Sequence, residues 1–242
     1  QISSHFSCLI FNLHKFYLKT LSNFLGSLHF GLQFFCFAQQ SAMCMVNSVK
    51  ISEAKNVHLG NFTLYFDGEP LIVDAGTETY SRINFSNQRY TLWYTRGSGH
   101  NAPVLGGFEQ MNGSEYTAKF INVNENELSC DLGRAYPAEA GVQKFIRTLK
   151  FKADEVAVED DFELAKPLDA VITLLSPCAV EKLSGNEIKI GNVKVQLENI
   201  EYTGCEETPE LKQKNISLWG CPLNAIRFKS KNNNYKFIFR KG

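Results

Sequence analysis

The chain is 242 residues long and 44% hydrophobic, enough apolar side chain for one large domain or two small ones. Its 25 basic and 25 acidic residues cancel, which excludes the overall pull toward nucleic acid or anionic membrane that a strongly basic chain has. The seven cysteines include no Cys-x-x-Cys pair, so neither a zinc ribbon nor a thioredoxin-type redox motif is present, and the compartment stays open.

Charge divides the chain near residue 50. Every Asp and Glu follows residue 52, and no Asp, Glu, Lys or Arg lies between Lys19 and Lys50. Residues 24–38, FLGSLHFGLQFFCFA, are apolar, preceded by Lys15 and Lys19 and followed by small and polar residues. That run is shorter than the roughly 20 apolar residues of a membrane span. Three readings of residues 1–49 stay open: a signal-like segment, a helical remnant of an upstream domain, or the product of a truncated or misread gene. The expected organisation is this short apolar segment, which a helix would suit, ahead of a domain over 50–242.

From residue 57 the pattern alternates. Residues 61–66 alternate in polarity, Asp67-Gly68 supplies a tight turn, and 71–73 run on as an apolar strand. Further strands are expected over 118–123, 144–151, 156–164, 170–175, 187–190, 194–197, 215–219, 225–229 and 235–240, with Asn-Gly and Gly-Asn turns between several of them. Short strands at about ten-residue spacing, with almost no helical periodicity, predict an all-β protein: one large antiparallel β-sandwich.

The spacing of particular residues goes further. Gly60-x-Phe62, Asp67-Gly-Glu-Pro70, Val73-Asp-x-Gly76, Thr79-Tyr80, Arg89-Tyr90 with Trp93, and His100-Asn-x-Pro103 with Gly107 and Gln110 follow one another in order. Downstream stand Arg147–Leu149, Val158–Phe162, and Leu218-Trp219 with Ile226. This series resembles the heparinase II/III-like family of polysaccharide lyases over residues 50–242. The resemblance implies a broad "supersandwich" that in the family follows an N-terminal (α/α) toroid, which is missing from this sequence.

The same resemblance implies β-elimination on uronic-acid polysaccharides, in which a base takes the proton α to the carboxylate and an acid protonates the leaving oxygen. The family places a histidine four residues before the Gly-x-Phe glycine, and that position is Asn56 here. An amide neither takes nor gives a proton near neutral pH, so this chain by itself is expected to show little or no lyase activity. In some relatives a zinc is held at the positions of His58, Asp74 and His100, and three N/O ligands plus water are a normal zinc complement. The alternative is that Asp74 closes a turn and both histidines are ordinary imidazoles. Arg89 and Arg96 are candidate contacts for carboxylate or sulfate, and Tyr90 is a candidate sugar-stacking ring, although rings at such positions more often pack across strands. The expected partner is therefore an acidic polysaccharide and no nucleic acid, in a periplasmic or secreted setting. The rival expectation is a non-catalytic carbohydrate-binding or scaffold module with a structural zinc.

Overall fold

The computed structural model describes residues 33–39, 42–48, 59–76, 82–207 and 219–242. Asn56, His58, Tyr80 and most of the strand expected over 215–219 lie outside them.

Two strands, β1 (Gln33–Gln39) and β2 (Ala42–Ser48), form an antiparallel hairpin, and β2 pairs with β3 (Phe62–Phe66). This corrects the helical option for the apolar segment at residues 33–48. Aromatic and unbranched apolar residues side by side suit a pleated surface, and the open edge of β3 supplies hydrogen-bond partners that a lone helix would not need. The β2–β3 ladder also crosses the compositional boundary at residue 50. β3 turns into β4 (Glu69–Ile72) through Asp67 and Gly68, at φ 51° and 82°, the doubly positive pair of a type I′ hairpin turn.

Residues 82–99 form short 3-10 turns, and strands resume with β5 (Pro103–Leu105), β6 (Lys119–Val123), β7 (Glu127–Asp131), β8 (Val142–Lys152) and β9 (Glu155–Leu164). There follow β10 (Ala170–Ser176), β11 (Val180–Lys182), β12 (Glu187–Ile190), β13 (Val193–Glu198), β14 (Glu201–Glu207), β15 (Asn224–Ser230) and β16 (Asn234–Lys241). β5, β7, β11 and β14 had no counterpart among the expected strands. The first and third are only three residues long, and β14 carries Gly204 at a bulge that breaks its alternation.

One sheet runs β11-β12-β13-β16-β9-β8-β7-β6. The others run β14-β15-β10-β5 and β1-β2-β3-β4, and an antiparallel bridge between Val73 and Leu175 joins these two. All pairings are antiparallel, as the alternation predicted. The inward faces meet in one apolar core that contains Phe62 and Leu64 of β3, Phe145 and Leu149 of β8, Val158 and Phe162 of β9, Phe228 of β15, and Phe237 and Phe239 of β16. Fully burying one such side chain stabilises by roughly 1.5–3 kcal/mol. A smaller cluster of Val73, Ala75, Tyr94, Leu175, Leu223 and Ala225 includes both chain neighbours of Asp74.

Candidate functional site

The inward parity of β8 is Phe145, Arg147, Leu149, Phe151, and that of β9 is Val156, Val158, Asp160, Phe162. A guanidinium at an apolar position needs a partner, because an unpaired buried charge is costly. The β8–β9 register sets Arg147 directly opposite Asp160, and the β9–β16 register sets Asp160 opposite Tyr235. Arg147 Nε and Nη2 donate to the two Asp160 oxygens at 2.7 and 2.6 Å, and the Tyr235 hydroxyl donates to Asp160 Oδ2. Burial works against the Arg147 charge, but Asp160 beside it more than restores it and holds the guanidinium charged. Burial, and then Asp160, push the Tyr235 hydroxyl well above the usual tyrosine range, so it stays a neutral donor.

The remaining Arg147 nitrogen points at the site loops. Nη1 donates to Gly60 O at 2.9 Å and to Asn101 O at 2.8 Å. Asn101 is fully buried and saturated: its Nδ2 donates to Phe62 O (2.8 Å) and Val73 O (3.0 Å), and its Oδ1 accepts from Leu175 N (3.0 Å). Its backbone N–H donates to Asn61 Oδ1 at 3.0 Å. Gln110 Nε2 donates to Leu59 O at 2.8 Å. The backbone immediately after His58 is thus held at Leu59 by Gln110, at Gly60 by Arg147, and at Phe62 by Asn101.

Gly60 has φ +71°, and a Cβ there would lie 2.4 Å from Cδ1 of the buried Leu132. Gly60→Ala is therefore expected to destabilise the domain by about 2 kcal/mol, from backbone strain and the clash together. The check is a shift of the urea midpoint with unchanged slope.

On this frame stand Asp74 and His100. Asp74 Oδ1 accepts from Gly76 N at 2.7 Å, closing the turn, and Oδ2 accepts from Asn61 Nδ2 at 2.6 Å. The buried His100 ring meets the same oxygen through Nδ1 at 2.8 Å. With the carboxylate as acceptor, Nδ1 carries a proton, and a carboxylate so placed orients a histidine for a metal or for proton transfer.

For zinc, the donor types of His58, Asp74 and His100 fit. Two of the three are brought together, and His58 lies outside the described residues. The 2.8 Å separation is that of a hydrogen bond, shorter than the roughly 3.3 Å between two ligands about 2 Å from one tetrahedral zinc. Asp74 is therefore bonded to the His100 ring here. Among the described residues no group of three His, Cys, Asp or Glu is gathered for a metal.

The other expected contacts sit beside a cleft of about 350 Å³ whose lining includes Tyr90, Arg96, Glu109, Gln110, Met111 and Asn112. Arg96 is joined to the dyad by the 97–99 turn and is gripped by Glu109, which also accepts from Ser98 N at 3.1 Å. An anionic ligand at Arg96 has to compete with that carboxylate. The Arg89 guanidinium carbon lies 5.8 Å from the centre of the Tyr90 ring. Burial raises the Tyr90 hydroxyl above its ordinary value, with Arg89 pulling partly back, which favours the neutral phenol. Tyr94 packs in the smaller cluster, and its hydroxyl accepts from Asn84 Nδ2 at 2.9 Å. Gln110 belongs to both places, lining the cleft while holding Leu59.

Asn61, Asn101, Gln110, Arg147 and Asp160 were not among the expected site residues. The legible signal was a charge at inward parity in both FIRTLKF and VAVEDDF.

Among known proteins, the model of the heparinase II/III-like C-terminal domain matches residues 49–216. The chain belongs to the heparinase II/III-like family. No curated protein matches it in sequence. Its fold is similar to that of heparinase III (TM-score 0.57, 12% identity, 86% of this chain and 35% of that one). It is also similar to the heparan sulfate lyase HepC from Pedobacter heparinus (TM-score 0.58, 14% identity, 88% and 35%). A further heparinase III, the BT4657 gene product, is similar at TM-score 0.59 and 14% identity, over 88% of this chain and 35% of that one. The chain thus spans about a third of the length of these solved relatives.

Proposed function

We propose that this chain is the sandwich part of a lyase that cleaves uronic-acid-containing polysaccharide by β-elimination, in concert with a toroid domain of the kind the family carries. The observation behind this reading is the Asp74–His100 pair, locked by family-motif residues against the backbone at Gly60 and Asn61. A charge-assisted frame of this kind holds an imidazole at a fixed place and tautomer, which proton transfer or ligation at a sugar ring requires. Asp74 keeps the His100 proton on Nδ1, Asn61 and Gly76 keep Asp74 in place, and the Tyr90–Arg96 cleft offers a ring face and a cation to an acidic sugar. Asn56 can donate hydrogen bonds to a carboxylate but cannot carry the proton. The proton-transfer groups of this reading therefore come mainly from the toroid.

Bound zinc would be held by His58, Asp74 and His100, and would tie three chain segments together as a structural ion. A periplasmic or secreted setting goes with such a substrate; among the described residues no helix is long and apolar enough to cross a membrane.

The test is ultraviolet absorbance of unsaturated uronate products over heparan sulfate, alginate and other uronans. The 242-residue chain is expected to yield none, and the chain joined to an N-terminal toroid of the heparinase II/III-like kind, the extended protein, is expected to yield product. No product from the extended protein on any uronan would overturn the lyase reading.

The position of Asn56 favours a second reading, a non-catalytic carbohydrate-binding module; retention on immobilised uronans without turnover by the extended protein is its expected signature. The metal is tested separately by elemental analysis. About one zinc per chain is expected, lost in both His58→Ala and His100→Ala, and unchanged zinc in the two variants would remove the site.

A further inference from the structure

The β10–β15 ladder ends at the pair Ser176–Asn224. Just past that end, Cys178 stands on one chain and Cys221 on the other, and both thiols are partly buried. The two turns are laced together. Cys221 Sγ donates to Pro177 O at 3.4 Å, Asn224 Nδ2 donates to Cys178 O at 2.9 Å, and Cys178 N donates to Ser176 Oγ at 3.1 Å. Pro177 and Pro222 stiffen both turns.

A carbonyl oxygen lies about 2.8 Å from the next Cα in standard backbone geometry, so the Cys221 sulfur stands within about 6 Å of the Cys178 Cα. The Cys221 sulfur thus reaches the peptide that enters Cys178, and pairing requires rotation about χ1 of both cysteines together with an adjustment of the two turns. Burial raises the Cys178 thiol, the Ser176 hydrogen bond pulls partly back, and charge on Cys221 adds a smaller upward push. Two further cysteines stand apart from this pair. Cys130 lies fully buried in the main core, and Cys205 stands exposed on β14, opposite Ile226.

We propose that Cys178 and Cys221 are a disulfide-forming pair, closed by exchange with a low-molecular-weight disulfide such as oxidised glutathione. One thiolate attacks the donor disulfide and releases one thiol. The second thiolate then attacks the mixed disulfide, forms the Cys178–Cys221 bond and releases the second thiol. The protein loses two electrons and two protons, and the donor gains them.

The position gives the bond a consequence. Cys178 Sγ donates to Pro70 O of β4 and lies where a Cβ on Gly191, between β12 and β13, would be 3.2 Å away. Cys221 leads into Leu223, which packs with Ala75 and Tyr94. The bond would fasten the seam where three sheet segments meet, and with it the apolar cluster that flanks Asp74.

The experiment treats the purified chain with oxidised glutathione, blocks remaining thiols with an alkylating agent, and maps non-reduced peptides by mass spectrometry. The expected result is one linked species joining the Cys178 and Cys221 peptides, 2 Da lighter than their sum, and a melting temperature about 5–10 °C higher than after reduction. The linked species should persist in Cys205→Ser and vanish in Cys178→Ser and in Cys221→Ser. Alkylation of both Cys178 and Cys221 after oxidation, or their linkage to other cysteines, would overturn the pairing; the wild-type map decides this even where a serine variant does not fold.

Discussion

Arg147→Ala is expected to destabilise the domain by about 3–5 kcal/mol, the loss typical of removing one partner from a buried ion pair. Asp160 would be left charged with only Tyr235 to answer it, and the carbonyls of Gly60 and Asn101 would lose their shared donor. Urea unfolding followed by fluorescence of Trp93 and Trp219 measures the change. The companion variant Arg147→Met with Asp160→Leu removes both charges and fills their space, and should recover more than half of the loss. It should not restore the grip on Gly60 and Asn101, so any zinc or sugar binding should stay weakened in the double variant. A loss under 1 kcal/mol in Arg147→Ala would show that the pair does not carry the weight its burial implies.

The second large effect is expected at Asn101. Asn101→Ala strips partners from Phe62 O, Val73 O and Leu175 N together, and each unsatisfied buried group costs about 1–3 kcal/mol. Partial relaxation brings the expected total to about 3–4 kcal/mol. Asn101→Asp keeps the shape but turns an acceptor toward two carbonyls and adds a buried charge.

The sign of its pH dependence is fixed. Burial among acceptors raises the folded-state carboxyl above its unfolded value of about 3.9, so the native state holds the extra proton. The variant should be closest to wild type below pH 4 and should lose stability steadily as pH rises through the folded value. A parallel pH profile for wild type and Asn101→Asp would contradict the placement of Nδ2 against Phe62 O and Val73 O.

Much of the fold was legible because its signals are short-range. Period-two alternation marked β3, β8, β9, β10, β12, β13, β15 and β16, and Asp67-Gly68 marked the hairpin turn by its tolerance of positive φ. The short β5 and β11 and the bulged β14 were not legible, since three residues or a broken alternation carry too little pattern. At residues 33–48 composition was a poor guide. Apolar content is compatible with helix or strand, and a strand is decided by whether an edge is free to pair, here that of β3.

The candidate site divides along the same line. Asp74 and His100 stood out in sequence as ligand-competent residues, and the structure brings them to 2.8 Å across 26 residues. Arg96 stood out as a candidate contact for carboxylate or sulfate, and in the structure Glu109 holds it. Arg147 and Asp160 were noticed as motif letters and not as the frame of the site. Their meaning depends on strand register, which no local pattern states: a slip of one residue between β8 and β9 would bury Arg147 without its partner.

From its residues alone this protein is determined to be a large antiparallel β-sandwich, with a chemically competent aspartate and histidine in loops next to β3, β4 and β5. Tertiary structure decided that the two smaller sheets join at Val73 and Leu175. It also decided that Arg147, Asp160 and Tyr235 line up across three strands, and that the remaining Arg147 nitrogen reaches the carbonyls of Gly60 and Asn101. The reason is range. Alternation and turns are set by neighbours in the chain, whereas a buried charge finds its partner only after strands 13 and 75 residues apart have been laid side by side.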